Sequence, residues 1–346
     1  MLKNLTGKTR RLGGVAVLAI GLGLVGCSGG QKASNPVSES VAKLPKVVAT
    51  TGVICDITKE IAQSSIDTTC LIKPGDDPHA YQTKPEDRKA IETGNLILYA
   101  GYDHEPSIIK LIKSSTNSAP KIAVHELAVP KPLMGEHEHE GEQKTEAKSH
   151  AAGEKVPDPH VWHNAQNGIR MVEIIRDELK KTAPNNAELY TKNAAKLTAD
   201  LQKLDTWIKA QIATIPLDKR KLVTTHDALS YYANAYGLEV AGALQGVTTE
   251  EQPTAARIAE LSSEIKKAGV PTIFVETTTN PKLMETVARE ANVKISDKEL
   301  YSDELGGPGS GADTYEGMLT TNTCAITSGL GGNCSSFRAG TPTAKP

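Results

Sequence analysis

Aromatic side chains are scarce in this chain: they make up 4% of 346 residues, with 2 Trp and 2 Phe. That scarcity argues against a surface that stacks nucleobases or sugar rings. Cysteine is sparse too, at 5, too few for a fold built on disulfides. Charge of one sign is lacking, since 39 Lys+Arg against 41 Asp+Glu leave a net charge of −2. A nucleic-acid binder would carry a basic excess. Past residue 25 no run is apolar enough to read as a membrane span. What the chain does have is an apolar share of 38%, enough for real cores. Its length suits two domains or one large one. It also has 9 His, and they are grouped rather than scattered.

Residues 1–26 read as an address. Lys3, Lys8, Arg10 and Arg11 give a positive start, and Val15 to Val25 is a short run of apolar and Gly residues. This is the pattern of a secretory signal peptide. It closes on Leu24-Val25-Gly26-Cys27, which resembles the bacterial lipobox, where the Cys is lipidated and becomes the mature N-terminus. An ordinary signal peptide or an uncleaved anchor is the alternative. Residues 27–45, polar with Gly, Ser and Pro, read as a flexible tether. The expectation is a lipoprotein held at a membrane surface outside the cytoplasm of a bacterium. Such a compartment permits disulfides. Cys324 and Cys334 flank a Gly-rich turn and are the favoured pair, whereas Cys55 and Cys70 stay open to a reading as buried free thiols.

The remainder alternates short β-branched runs with helical patterns. Lys46–Thr50, Thr69–Ile72, Asn95–Ala100 and Lys121–Val124 read as strands, and Val53–Gln63 and Pro85–Thr93 as helices. The alternation recurs with strands at Lys221–Thr225, Val240–Leu244 and Thr272–Glu276. This order predicts an α/β fold of two lobes, each a mostly parallel sheet with flanking helices. Between the two sets, Leu197, Leu201, Leu204, Ile208 and Ile212 form an apolar stripe on a helix spanning 184–214. One helix of that length, about 45 Å, would brace both lobes; two helices broken near Asp200 are the alternative. The lobes then fall at 46–183 and 215–340. Residues 130–156 break the pattern. They hold Gly135-Glu136-His137-Glu138-His139-Glu140 and His150 without an apolar period, and read as a mobile, charged, low-complexity insertion. Its His137, His139 and His150 offer imidazoles for weak metal capture.

Chemistry gathers in four places. Asp77-Pro78-His79-Ala80-Tyr81 and Asp158-Pro159-His160-Val161-Trp162 repeat one form, D-P-H followed by a small apolar residue and an aromatic. Pro stiffens the turn and restricts the residue before it. The aromatic is placed to pack behind the imidazole. A rigidly held His suits a metal, because its geometry is set before the ion arrives. One such His is ordinarily a surface residue; the repetition points to His79 and His160 as ligands. Thr224-Thr225-His226-Asp227-Ala228 closes a strand of the second lobe, so His226 lies at the C-terminal sheet edge where sites gather. Capping a helix or orienting a ligand is its alternative role. In Tyr301-Ser302-Asp303-Glu304-Leu305-Gly306, Asp303 reads either as a turn carboxylate or as an oxygen ligand facing His226. His104, His125 and His163 stay unassigned: the first two read as ordinary surface histidines, and for His163 orienting a ligand is only the lesser alternative.

Together with the brace helix and the T-H-D-A-x-x-Y-Y stretch from Thr225 to Tyr232, these motifs resemble the solute-binding proteins of zinc/manganese-type ABC importers, the ZnuA/TroA-like family. The resemblance covers nearly everything after the tether. It implies one ion held by His79 and His160 from the first lobe and His226 and Asp303 from the second, with little closure because the helix limits hinge motion. It further implies a monomer that docks on a membrane permease coupled to a cytoplasmic ATPase, with no catalytic residues. Three imidazoles and one carboxylate suit Zn²⁺. Manganese-type relatives commonly carry Glu where His226 stands, so zinc is the expected cargo and manganese the alternative. A zinc hydrolase is the competing class, with Glu276 or Glu304 as its base. It lacks an HExxH motif, and Asp303 would close the coordination position that catalysis needs. A surface adhesin on the same fold would leave four ligands without a purpose.

Overall fold

The computed structural model describes residues 43–137, 154–250 and 252–337. Cys27, His139 and His150 lie outside the described residues, and of His137 only the backbone is described. Four parallel strands, β1 (Lys46–Ala49), β2 (Asp67–Cys70), β3 (Leu96–Tyr99) and β4 (Lys121–Ala123), form the first sheet in the order β2-β1-β3-β4. The crossovers carry α1 (Gly52–Ala62), α2 (Pro85–Thr93) and α3 (Pro106–Ser114). Side chains alternate across a pleated strand, and both faces here are covered. Val47, Ala49, Leu96 and Leu98 pack with Ile54 and Ile57 of α1. Val48 and Ile97 pack on the other side with Ile91 of α2 and with Ile108 and Ile112 of α3. Burial on both faces is why the two central strands, β1 and β3, read as continuous apolar runs. β2 begins two residues earlier than the run Thr69–Ile72 suggests, because its polar start pairs through the backbone: Asp67 lies opposite Lys46.

After the short α4 (Val124–Ala128), β5 (Met134–His137) and β6 (Glu154–Pro157) pair antiparallel. The segment 130–156, expected to be unstructured throughout, therefore begins and ends in a ladder. Backbone hydrogen bonds make this stem, and they leave no apolar period to read. α5 (Ala165–Thr182) then lays Met171, Val172 and Ile175 on the first sheet's core. Its N-terminus is capped by Asn164, whose side chain accepts from the Gln166 N–H at 2.9 Å.

α6 (Ala187–Ala213) follows a single 3₁₀ turn at Pro184–Asn186. Its 27 residues span about 40 Å, unbroken at Asp200. There Lys196 (2.7 Å) and Lys203 (3.0 Å) approach the carboxylate from neighbouring turns. The stripe Leu197, Leu201, Leu204, Ile208 and Ile212 is buried as a unit. One apolar cluster runs from Val47 and Ile54 through Leu201 and Leu204 to Leu319 and Ile326 of the last helix, α10 (Tyr315–Gly329). The helix is a brace because its apolar face belongs to the cores on either side of it.

The second lobe carries β7 (Lys221–His226), α7 (Ser230–Tyr236), β8 (Glu239–Gln245), α8 (Ala255–Ala268), β9 (Thr272–Ile273), α9 (Pro281–Ala291) and β10 (Lys294–Ile295). β7 pairs with β8 and β9 with β10, both parallel. The Phe274 N–H donates to the Val223 carbonyl at 2.9 Å and joins the two pairs. Val223, Leu244, Leu261, Ile265, Met284 and Val287 form the core beside them. The strand expected over Thr272–Glu276 is a ladder for two residues only, after which Glu276 makes an isolated bridge with Leu300. Cys324 is paired with Cys334, with Cα atoms 5.2 Å apart. Cys55 and Cys70 are not free thiols: they join α1 to β2, with Cα atoms 5.8 Å apart. Among the described residues no helix is long and apolar enough to cross a membrane.

Leu204 is fully buried in the middle of α6. Leu204→Ala should lower the unfolding free energy by about 2–5 kcal/mol, read from the midpoint shift in urea denaturation at unchanged m-value.

Candidate metal centre

Both D-P-H turns are built by their Asp. The Asp77 side chain accepts from the His79 N–H (2.9 Å), and Asp158 does the same for His160 (2.9 Å). Such turns hold the backbone while Pro restricts the residue before it. Asp158 also lies 2.8 Å from Nδ1 of His160. That ring nitrogen donates to the carboxylate and leaves the Nε2 lone pair facing inward. The aromatics behave differently from each other. Trp162 lies beside His160, with ring centroids 5.3 Å apart. Tyr81 instead enters the α2–α3 core and donates to Asp87 at 3.1 Å. His104 takes the place next to His79, edge-on at 4.9 Å.

His226 sits at the end of β7, and Asp303 on the loop before α10. The structure brings His79, His160, His226 and Asp303 together, with one donor atom from each inside a sphere of contacts no wider than 4.8 Å. Nε2 of His160 is 3.3 Å from Nε2 of both His79 and His226. Oδ1 of Asp303 is 3.2 Å from Nε2 of His160 and His226 and 3.6 Å from that of His79. The other oxygen of Asp303 is occupied: Oδ2 accepts from Thr278 (2.8 Å) and Ser302 (3.2 Å). One carboxylate oxygen is thus committed to protein donors, and one faces the imidazoles.

Glu276 organises the second lobe's half of the centre. Its Oε1 accepts from the backbone N–H groups of Thr225 (2.9 Å) and His226 (3.1 Å). Its Oε2 takes the Ser302 hydroxyl (3.0 Å) and pairs with Nδ1 of His226. His226 therefore also points Nε2 inward. The Glu276 carboxylate is thus taken up by His226, one of the four candidate ligands, by Thr225 and by Ser302. Glu304 likewise has structural work. Its carboxylate accepts from the N–H groups of Gly52 (2.9 Å) and Leu305 (2.9 Å), tying the start of α1 to the residue after Asp303. A Cβ at Gly52 would fall 1.6 Å from a Glu304 oxygen, so only glycine fits there. His163, left without an assigned role by the sequence, donates from Nε2 to the Ser302 carbonyl at 2.7 Å and holds the Asp303 loop from the other lobe.

Charge follows from burial and neighbours. Burial disfavours a positive His226, but Asp303 and Glu276 outweigh it and raise its pKa well above the usual histidine value. Burial is likewise overcome at His160 by Asp158 and Asp303, and its pKa is raised. Burial opposes the charge on Asp303, yet the imidazoles hold its carboxyl well below the usual carboxylate range. His104 and His125, expected at the surface, are fully buried. Burial pulls His104 well below the ordinary value and His125 down to about 3, so both are neutral at physiological pH. The loop carrying His104 enters through three consecutive left-handed residues, Gly101 (φ 92°), Tyr102 (φ 50°) and Asp103 (φ 58°). Nothing in the local sequence marks that fold-back. It depends on the Glu126 side chain accepting from the Tyr102 N–H at 3.0 Å.

Three imidazole nitrogens and one carboxylate oxygen, buried and facing one another across two lobes of parallel sheet, form a donor set suited to a single divalent cation. The family described as zinc-uptake complex component A, periplasmic, matches residues 47–329, and the chain belongs to that family, ZnuA. It is 33% identical over 328 residues to the manganese ABC transporter substrate-binding lipoprotein PsaA of Streptococcus mitis, covering 93% of this chain and 99% of the relative. To the manganese-binding lipoprotein MntA of Halalkalibacterium halodurans it is 29% identical over 314 residues, 91% and 96% of the two chains. The solved periplasmic zinc-binding protein TroA of Treponema pallidum superposes with a TM-score of 0.73 at 30% identity, covering 83% of this chain and 99% of that one. The chain is accordingly the substrate-binding component of an ABC transporter, a receptor rather than an enzyme, and its partners are a permease and an ATPase.

Two outcomes follow from the centre. A cation must displace protons that His226 and His160 hold more tightly than free histidine does. The protonated apo cluster is favoured below the unfolded value of 6.5 and is lost as pH rises through the raised folded values. Metal affinity should therefore climb with pH through neutrality, measured by chelator competition at stepped pH, and a flat profile would contradict the arrangement. Glu276→Gln should weaken metal binding by about 10–100-fold in the same titration without unfolding the protein.

Proposed function

We propose that this chain is an extracytoplasmic zinc receptor that hands Zn²⁺ to its importer, with His79, His160, His226 and Asp303 as the ligands. The donor set carries the reading. Three imidazole nitrogens and a single available carboxylate oxygen suit Zn²⁺, whereas sites for Mn²⁺ draw more on oxygen. The spacing supports it as well. A tetrahedron with bonds of about 2.0–2.1 Å has edges of about 3.3–3.4 Å; five of the six donor separations run from 3.2 to 3.6 Å, and the sixth, His79 to His226, is within 4.8 Å. A closed set of four ligands suits carriage, since catalysis would need an open position. Lipidation at Cys27, tethering through residues 27–45, a monomeric state and weak capture by His137, His139 and His150 belong to the same proposal.

Manganese is the second reading, favoured by one observation: the relatives named above as PsaA and MntA are manganese proteins by name. Tight zinc binding in vitro does not separate the two, because nearly any such site prefers Zn²⁺ to Mn²⁺. The separating experiment is growth of a strain lacking this chain, starved of zinc or of manganese. A defect under zinc starvation, cured by the intact gene but not by His79→Ala or His226→Ala, is the expected result. A defect under manganese starvation alone assigns the chain to manganese. In purified protein, His79→Ala and His226→Ala should each lose affinity by orders of magnitude, and wild-type affinity in both would remove the site.

A further inference from the structure

A closed ligand set raises the question of how the ion gets in. All four ligands are buried, and His79 is the least so, at 3% exposed against 0–1% for the others. His79 is also the one of the four that lines a cavity of about 450 Å³ open to the surface. The first lobe contributes Asp103 and Glu126 to its walls, β6 contributes Val156, and the segment after β8 contributes Val247, Thr248 and Glu250. A second cavity, of about 420 Å³ beside Gly52 and Glu304, reaches none of the four.

The segment after β8 is strapped over this cavity at two points. The Thr249 hydroxyl donates to Asp77 Oδ2 at 2.5 Å. Val247 rests on the β5–β6 stem so closely that a Cβ on Gly135 would come within 2.1 Å of it. Asp77 is also the residue whose other oxygen orders the turn of His79. The strap and the most accessible ligand thus hang from one carboxylate. The carboxylates of Asp103, Glu126 and Glu250, set against Lys113, bias the cavity toward cations.

We propose that a hydrated divalent cation enters and leaves through this cavity, meeting His79 first, and that Val247–Glu250 is the strap it must pass. The inference rests on the metal-receptor reading. Groups on the path but off the site alter the barrier between the loaded and empty states and leave the two states themselves alone. Loading and release must then change by the same factor, with affinity unchanged. A change in a ligand, or in a residue that orients one, moves affinity instead.

Thr248→Trp fills the cavity, and Val247→Ala loosens the strap where it rests on the β5–β6 stem, away from Asp77. Zn²⁺ alone and Mn²⁺ alone would be delivered from, and recovered into, a chromophoric chelator in a stopped-flow instrument. Thr248→Trp should slow loading and release together by about tenfold or more, and Val247→Ala should speed both. Thr69→Trp, in the second cavity, should leave both rates unchanged. Wild-type rates in both strap variants overturn the route, as does an affinity change in Thr248→Trp carried by one rate alone. Wild-type protein that binds neither ion refutes the receptor reading itself, a separate outcome.

Discussion

A carboxylate buried among three imidazoles has no water to solvate it, and the rest of the molecule is arranged around that fact. Desolvating a charge is unfavourable unless partners replace the water. Asp303 meets the requirement with the Thr278 hydroxyl and a share of the Ser302 hydroxyl on one oxygen, and three ring nitrogens around the other. The ring nitrogens need supports of their own, which Asp158 and Glu276 provide by taking the outer nitrogens of His160 and His226. Each layer of polar groups positions the one inside it. The outermost layer is backbone: the N–H groups of Thr225, His226 and His160.

The two halves of the centre come from opposite ends of the chain, so something must hold them in register. Three connections, among others, do so. The α6 brace shares one apolar cluster with the first sheet and with α10. Glu304 spans from the residue beside Asp303 to the start of α1. His163 fastens the Ser302 carbonyl from the first lobe. Behind the ligands, His104 and His125 are neutral because burial lowers their pKa. A layer of imidazoles can therefore stand next to a cation site without repelling the cation.

Much of this was legible along the chain. The D-P-H repeat marks two strand-to-turn junctions because Asp and Pro act on their own neighbours, within a few bonds. The central strands β1 and β3 are readable because burial on both faces leaves continuous apolar runs, and α6 because its stripe recurs with the helical period. The β5–β6 stem was not readable, since a backbone ladder between residues 134–137 and 154–157 needs no particular side chains. Nor was the Cys55–Cys70 pairing, which follows from α1 lying against β2. Glu276 is visible as a carboxylate closing a strand-like run, but its role depends on β9 sitting beside β7.

What the sequence by itself determined was which residues have the chemistry and which local turns present it: His79 and His160 on Asp-Pro turns, His226 at a strand end, Asp303 before a glycine-rich loop. Those are short-range matters of backbone restriction and hydrogen bonding. Tertiary structure alone decided that the four meet within one small space, that Asp303 offers one oxygen and not two, and that His104 and His125 are interior. Convergence, burial and the choice of free oxygen are set by contacts between segments far apart in the chain. No local pattern encodes a distance between residues 79 and 303.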